Sequence, residues 1–298
     1  MEQKQKNVIL SLIPAFVVAV LFLMAWTEPD VDLQDPWYRT LNKFNETRAL
    51  QKENPELYNQ KIQEVGKEFE ELATKYSFHP KVRMLNGYYL MSVGKNKEAI
   101  EELKVAIEDG KGGLVNQIEF QAGDMLSQIA LGRTNQLFEQ ARNNKDPKNI
   151  ILANNILLDV LPYISYNPDI HFQLGKTNAE MGDYYKALEY YENAIKRNPK
   201  HEGAGRGKAH LNFLLGNKFI GENNFNQAYI HYRIAQSIIP NHPDYNNNLG
   251  NTCLKLNKFD EAVKHFGNAN KNYPDNRVFK GNLEIAKKAL AQSKNQNR

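Results

Sequence analysis

The stretch HEGAGRGKAH, His201 to His210, sets three glycines, an arginine and a lysine within ten residues. Glycines let backbone N–H groups close on an anion, and Arg206 and Lys208 would add positive charge, so phosphate binding is the chemistry to test first. A Walker-type loop requires G-x-x-x-x-G-K-[ST] between a strand and a helix. Here Gly203 and Gly207 are one residue too close, Ala209 replaces the hydroxyl residue, and no strand pattern precedes. The seven histidines, at 79, 171, 201, 210, 231, 242 and 265, raise a metal reading. None falls in H-E-x-x-H, and the single cysteine, Cys253, stands at no ligand spacing from any of them. His201 and His242 fall at repeat ends, and His265 is expected to face solvent beside Phe266. No G-x-S-x-G and no Cys-His pairing occurs, so the residues support neither nucleophilic catalysis nor a cofactor. The expectation is a protein that is not an enzyme, with no metal and no cofactor.

What positions these residues is a chain of 298 residues, long enough for a large core or a row of small stacked units. Its 38 basic and 34 acidic residues leave a net charge of +4 with no dense Lys/Arg run, which argues against nucleic acid as a partner. One cysteine excludes an internal disulfide and leaves the redox compartment open.

Residues 8–26, VILSLIPAFVVAVLFLMAW, carry no charge. At 1.5 Å per residue they would span roughly 28 Å as a helix, close to the hydrocarbon core of a bilayer. Trp26 at the far edge suits the headgroup region. The competing reading is a cleaved secretory signal. Signal cores run about 7–15 residues and end at an A-x-A-like site, and LMAWTEPD offers none. The segment is read as an uncleaved signal-anchor. Lys4 and Lys6 precede it, and Glu28, Asp30, Asp32 and Asp35 follow it with no basic residue before Arg39. The positive-inside rule then keeps residues 1–7 in the cytoplasm and sends the rest across, into the periplasm of a bacterial envelope in the reading adopted. Residues 27–47 read as an acidic linker.

Beyond it, arithmetic reveals a repeat. Pro199, Pro240 and Pro274 end three similar stretches, and each has a glycine at the same earlier place: Gly175, Gly216 and Gly250. The alanines Ala187, Ala228 and Ala262 follow at one fixed spacing, then Tyr191, Tyr232 and Phe266, then Ala194, Ala235 and Ala269. Leu174, Leu215 and Leu249 precede the glycines, so six positions recur in all three copies. The alanine, the aromatic and the second alanine lie at i, i+4 and i+7 and therefore share one helix face. Leucine and glycine fall on the preceding helix, where a small residue lets the partner approach. Each proline stops the second helix.

These residues resemble the tetratricopeptide repeat family, whose unit is a 34-residue helix–turn–helix. GDYYKALEYYENAIKRNPKH, Gly182 to His201, is especially similar to the family's second helix. The units are 168–201, 209–242 and 243–276, and residues 202–208 form a spacer that holds all three glycines of the opening stretch. The spacer is either a first-helix extension of nearly two turns or an irregular link. Residues 48–167 read as degenerate helical repeats. The clearest unit there, 80–113, keeps Gly87, Gly94, Ala99 and Ala106 with Leu103 for the aromatic. Pro55–Lys75 reads as one helix, and Leu114–Tyr163 as three. Residues 277–298 resemble the polar helix that closes such stacks, with Val278, Leu283, Ala286 and Leu290 facing the last repeat. The tyrosines 184, 185, 190 and 191 take positions the family fills with aromatics for packing.

The resemblance implies an all-α, right-handed helical solenoid behind one transmembrane helix, with a protein partner held in the concave groove of first helices. The matching groove positions are Phe172, Lys176, Phe213, Asn217, Asn247, Asn251 and Lys255. Asparagine amides bond an extended backbone through donor and acceptor alike, although Asn248 and Asn251 also match the family's framework. The family's clamp for acidic chaperone tails has no counterpart, since the matching positions hold Phe172, Lys176, Asp244 and Asn248. The expected function is a membrane-anchored scaffold or adaptor outside the cytoplasm. The alternative is an accessory that holds exported proteins during secretion or maturation. A homo-oligomer is compatible with either, because solenoid faces also pack on one another.

Overall fold

The computed structural model describes residues 31–77, 79–110 and 116–296. Every element among them is an α-helix. The first helices are α1 (Val31–Glu53), α2 (Pro55–Lys75), α3 (Pro80–Ser92) and α4 (Asn96–Gly110). Next come α5 (Asn116–Asn144), α6 (Lys148–Ile164), α7 (Pro168–Glu180) and α8 (Tyr184–Arg197). The chain continues through α9 (Glu202–Gly221), α10 (Phe225–Ile238), α11 (Pro243–Lys255), α12 (Phe259–Asn272) and α13 (Arg277–Gln296). The chain divides into two compact units. One runs to Glu139 and includes Asn155–Ile164; the other is Gln140–Asn154 with Ser165–Arg298. No helix among the described residues is long and apolar enough to cross a membrane. The expected anchor, 8–26, and the preceding residues 1–7 lie outside the described residues.

In the first unit α1 packs along α2, and α3 along α4. Residues 31–47, read above as linker, belong to α1 instead. Thr40, Leu41, Phe44 and Thr47 are all buried, and their spacing places them on one helix face. Two threonines in that stripe hide its apolar character. Phe44 meets Phe69 of α2 edge-on at 5.5 Å and Tyr88 of α3 at 5.3 Å. Arg48 of α1 donates to the Tyr88 hydroxyl. Of the stretch Leu114–Tyr163, read above as three helices, the described residues 116–163 form two, because α5 runs unbroken through Gly123 and Gly132. A glycine within a helix costs only about 1 kcal/mol against alanine, which tertiary packing overrides.

The second unit stacks the hairpins α7/α8, α9/α10 and α11/α12, each packed on the next, and ends on α13. One contact recurs in each. A Cβ built on Gly175 would lie 2.5 Å from the Tyr191 ring, one on Gly216 would lie 2.5 Å from Tyr232, and one on Gly250 would lie 2.9 Å from Phe266. The degenerate unit obeys the same rule, with Gly87 at 2.8 Å from Leu103. Ala187, Ala194, Ala228, Ala235, Ala262 and Ala269 are fully buried beside these rings. The turn inside every hairpin is also the same. Gly94, Gly182, Asn223 and Asn257, each the fifteenth residue of its unit, have positive φ of 81°, 84°, 56° and 56°. Only glycine, or asparagine at some cost, takes that conformation readily. The following N–H then reaches back to close the first helix, as Asp183 does to Asn178 O at 2.9 Å and Lys258 to Cys253 O at 2.8 Å.

At the far end of each hairpin the helix stops two residues before Pro199, Pro240 or Pro274. The intervening Asn198, Ile239 and Tyr273 leave the helical conformation, at φ of −133°, −125° and −141°, because proline disfavours it in its predecessor. On α13 the seating differs from expectation. Ala286 is fully buried and Leu283 packs on the core, yet Val278 is 62% exposed and its neighbour Phe279 is buried in its place.

A polar pair also repeats inside the hairpins, joining the fourth and twenty-third residues of each unit. Asn212 accepts from His231 Nδ1 at 2.9 Å, and Asn246 accepts from His265 Nδ1 at 3.3 Å. In the first copy His171 and Tyr190 meet as rings 6.3 Å apart. His265 is therefore buried rather than solvent-facing. Burial lowers the pKa of His171 and His231 below the usual 6.5. For His171 the Arg197 charge adds to the lowering, and a bond to Ser165 O opposes it.

Two measurements follow. Gly207→Ala is expected to destabilise by about 1–3 kcal/mol through overpacking, since its Cβ would meet Tyr191 at 2.5 Å. Gly205→Ala, whose nearest neighbour is Ile238 at 4.0 Å, is expected to stabilise by about 0.5–1 kcal/mol; denaturant melts that rank the two the other way would refute the packing described. Because the folded histidines bind protons less readily than unfolded ones, their contribution is present above about pH 6.5 and lost as pH falls. Tm is expected to drop between about pH 7 and pH 5.5, and His231→Gln to flatten that drop; an unchanged slope in the variant would assign it elsewhere.

Candidate functional site

The opening glycine stretch is helix, not loop. The extended alternative is the observed one: α9 has 20 residues against 13 in α3, α7 and α11, and residues 202–208 form its added turns. His201 caps this helix by accepting from Ala204 N at 3.0 Å. Two of the three glycines meet rings. Gly207 lies against Tyr191, and Gly203 against Phe172 at 2.9 Å from a built Cβ. Tyr191 is thus held between Gly175 and Gly207 on successive first helices. Burial, helped by Glu180, pushes its phenol up to about 12. Arg206 pairs with Glu202 at 3.0 Å and Lys208 with Glu192 at 2.9 Å, so both cations already face carboxylates. The stretch is a packing device.

The seven groove positions lie on three first helices: Phe172 and Lys176 on α7, Phe213 and Asn217 on α9, Asn247, Asn251 and Lys255 on α11. The two phenylalanines are half-buried and spend their faces on packing. Phe172 lies 4.9 Å from His201 and 6.0 Å from Tyr191, and Phe213 lies 5.0 Å from Tyr245. The Lys176 ammonium sits 5.7 Å from the centre of the Phe172 ring, in range for a cation–π contact.

The asparagines join into a row of amides. Tyr232 donates its hydroxyl to Asn217 Oδ1 at 2.6 Å, and Asn248 Nδ2 donates to the same oxygen at 3.2 Å. Asn247 donates to Asn248 at 3.4 Å and accepts from Asn282 of α13 at 2.9 Å. The row runs across α9, α11 and α13, and Asn251 and Lys255 stand exposed beside it. Asn248 and Asn282 are members that spacing alone did not single out. A signal existed: Asn248 follows Asn247 directly and precedes Leu249 in the repeat.

A second group escaped the reading by spacing. A ring nitrogen of His265, the Cys253 thiol and a Glu261 carboxylate oxygen all lie within 4.8 Å of one another. Cys253 and His265 lie on opposite arms of one hairpin, and neither has a second ligand residue at the short spacing that marks a metal motif in sequence.

The geometry defines a stacked helical-hairpin repeat protein. Tetratricopeptide repeat models match residues 168–201 and 243–276, so the chain contains tetratricopeptide repeats. A comparison with curated proteins found no match. Among solved structures, the APC/C hetero-tetramer Cut9-Hcn1 is similar at 16% identity, with 83% of this chain and 46% of that chain covered and a TM-score of 0.31. This chain therefore spans about half the length of that one. YrrB, a TPR protein with an unusual peptide-binding site, is similar at 16% identity, with 71% and 95% covered and a TM-score of 0.35. PilW, a widely conserved type IV pilus biogenesis factor, is similar at 12% identity, with 82% and 98% covered and a TM-score of 0.36.

The amide row separates framework from binding surface by experiment. Asn217→Ala strands the hydroxyl of Tyr232, itself 1% exposed, and is expected to cost about 1–3 kcal/mol. Asn251→Ala is expected to stay within about 0.5 kcal/mol of the parent. Equal stability of the two variants would mean that Asn217 does not carry the contact described.

Proposed function

We propose that the chain is a membrane-anchored scaffold that holds a protein partner on the first helices of its second unit. The observation that carries the reading is the amide row Asn217–Asn248–Asn247–Asn282 with exposed Asn251 and Lys255 at its edge. Amides bonded to one another keep fixed orientations, and their remaining donors and acceptors suit the backbone of an extended segment. The glycine–ring contacts beneath give this surface a rigid base, so little ordering entropy opposes binding. The mechanism is recognition plus tethering, with no bond made or broken in the partner. Residues 8–26 supply the anchor in this reading, and the flanking charges direct the repeats away from the cytoplasm.

Crosslinking in intact cells, with mass spectrometry of what stays attached, tests the proposal alongside a Lys176→Glu, Asn217→Ala, Asn251→Ala variant. One stoichiometric partner lost in the variant is the expected result. A broad mixture of exported proteins would favour the holding of clients in transit, and binding unchanged in the variant would exclude this face. Orientation is read in the same cells from a Glu28→Cys variant, since native Cys253 is fully buried and should not react. Labelling of position 28 only after the inner membrane is opened would sink the extracytoplasmic placement.

A further inference from the structure

The second unit contains a cluster that groove binding does not use. Cys253 on α11 is fully buried, His265 on α12 is 8% exposed, and Glu261 lies one turn before His265 at its half-open edge. Their ligand atoms converge within 4.8 Å, a spacing that small rotamer changes close to the separations found around one ion. Cys253 packs in the apolar cluster with Leu249 and Phe266, and Glu261 and His265 bring polar atoms up to it. A cation there would take a thiolate and a neutral imidazole as ligands.

The surrounding hydrogen bonds already fit that state. Asn246 turns its Nδ2 to Pro240 O at 2.7 Å and His242 O at 3.0 Å. Its Oδ1 is thereby left for His265 Nδ1, which must carry the ring proton, so the lone pair sits on Nε2. A ring nitrogen held in this way is the usual condition of a ligating histidine. Tyr229 fixes the carboxylate from the other side, donating to Glu261 Oε2 at 2.6 Å. Lys258 lies 3.9 Å from Oε1 and 3.6 Å from the centre of the Tyr229 ring. Its side chain is 40% exposed, so it can swing into solvent when an ion takes the carboxylate.

We propose that Cys253, Glu261 and His265 bind a thiophilic divalent cation of the zinc class. One thiolate, one imidazole and one carboxylate make a three-ligand set that zinc accepts with water in the fourth place. The set is too soft for magnesium or calcium, which demand oxygen ligands. The bonds balance simply: the thiol loses its proton to solvent as sulfur takes the ion. Glu261 binds through a carboxylate oxygen and His265 keeps its proton on Nδ1, so the thiol proton is the one released per ion bound. The ion would tie α12 to α11, the helix that also carries Asn247, Asn251 and Lys255. The site stands whether or not that face binds a partner.

The test uses the full-length chain, stripped with chelator and titrated with Co²⁺ and then Zn²⁺. Expected are a thiolate-to-cobalt charge-transfer band saturating at one ion per chain, its loss on displacement by Zn²⁺, and a rise in Tm with Zn²⁺. Calorimetry in buffers of differing ionisation enthalpy should show about one proton released per ion. Cys253→Ser should abolish the band, and Asn246→Ala should weaken Zn²⁺ binding by about tenfold or more. Because Cys253 and Asn246 are buried, Glu261→Gln serves as the variant that keeps the core intact, and it too should weaken binding. Absence of the band with no Zn²⁺ effect on Tm would overturn the proposal. So would Zn²⁺ binding of equal strength in Cys253→Ser and Glu261→Gln, which would put the ion on other groups.

Discussion

The second unit depends on a single steric arrangement: a glycine on each first helix lets an aromatic ring of the second helix lie flat against its backbone. Gly175 with Tyr191, Gly216 with Tyr232 and Gly250 with Phe266 are the same contact made three times. The alanines on either side of each ring are fully buried because the helices are already that close. A side chain at any of these glycines would push the hairpin apart and with it every contact along the stack. In an architecture where each unit touches only its neighbours, such a defect is felt as a break in the row rather than a local dent.

Upon this apolar scheme is laid a polar one of equal regularity. A half-buried and a buried imidazole meet buried amides at one place in two successive units, and amides link the first helices across their outer edge. The buried amides Asn212 and Asn246 thereby satisfy polar atoms that would otherwise be stranded away from water. The consequence is orientation: an asparagine with both ends committed cannot flip, so the face it presents is fixed before anything binds.

Much of this was legible because three copies can be compared. The recurring glycines, alanines, aromatics and prolines name the helix faces and ends, and residues 168–201 and 243–276 are the stretches that the family models match. The left-handed turn residue was visible only as Gly94 and Gly182, because asparagine replaces it at 223 and 257. Where one copy stands alone the reading faltered. α1 was hidden by its acidic start and by Thr40 and Thr47 within its buried stripe. The long α5 concealed itself behind internal glycines. On α13, Val278 and Phe279 are adjacent apolar residues that no periodicity distinguishes, and the helix rotation that buries the second is set by packing on α12. The group around Cys253 depends on residues from two arms of a hairpin, and pairing across a turn leaves no mark in linear spacing.

The added turns of α9 show how such a protein tolerates growth. Seven residues rotate a helix by about 700°, within about 20° of two full turns, so the chain lengthens while Leu215 and Gly216 still point at the core. An insertion of five residues would have swung that same pair well away from the Tyr232 ring. Growth here is thus quantised: an insertion keeps the glycine under the ring only when it rotates the helix by close to a whole number of turns. Gly203 and Gly207 mark the added material as adapted to its place, since each takes a ring from the preceding hairpin.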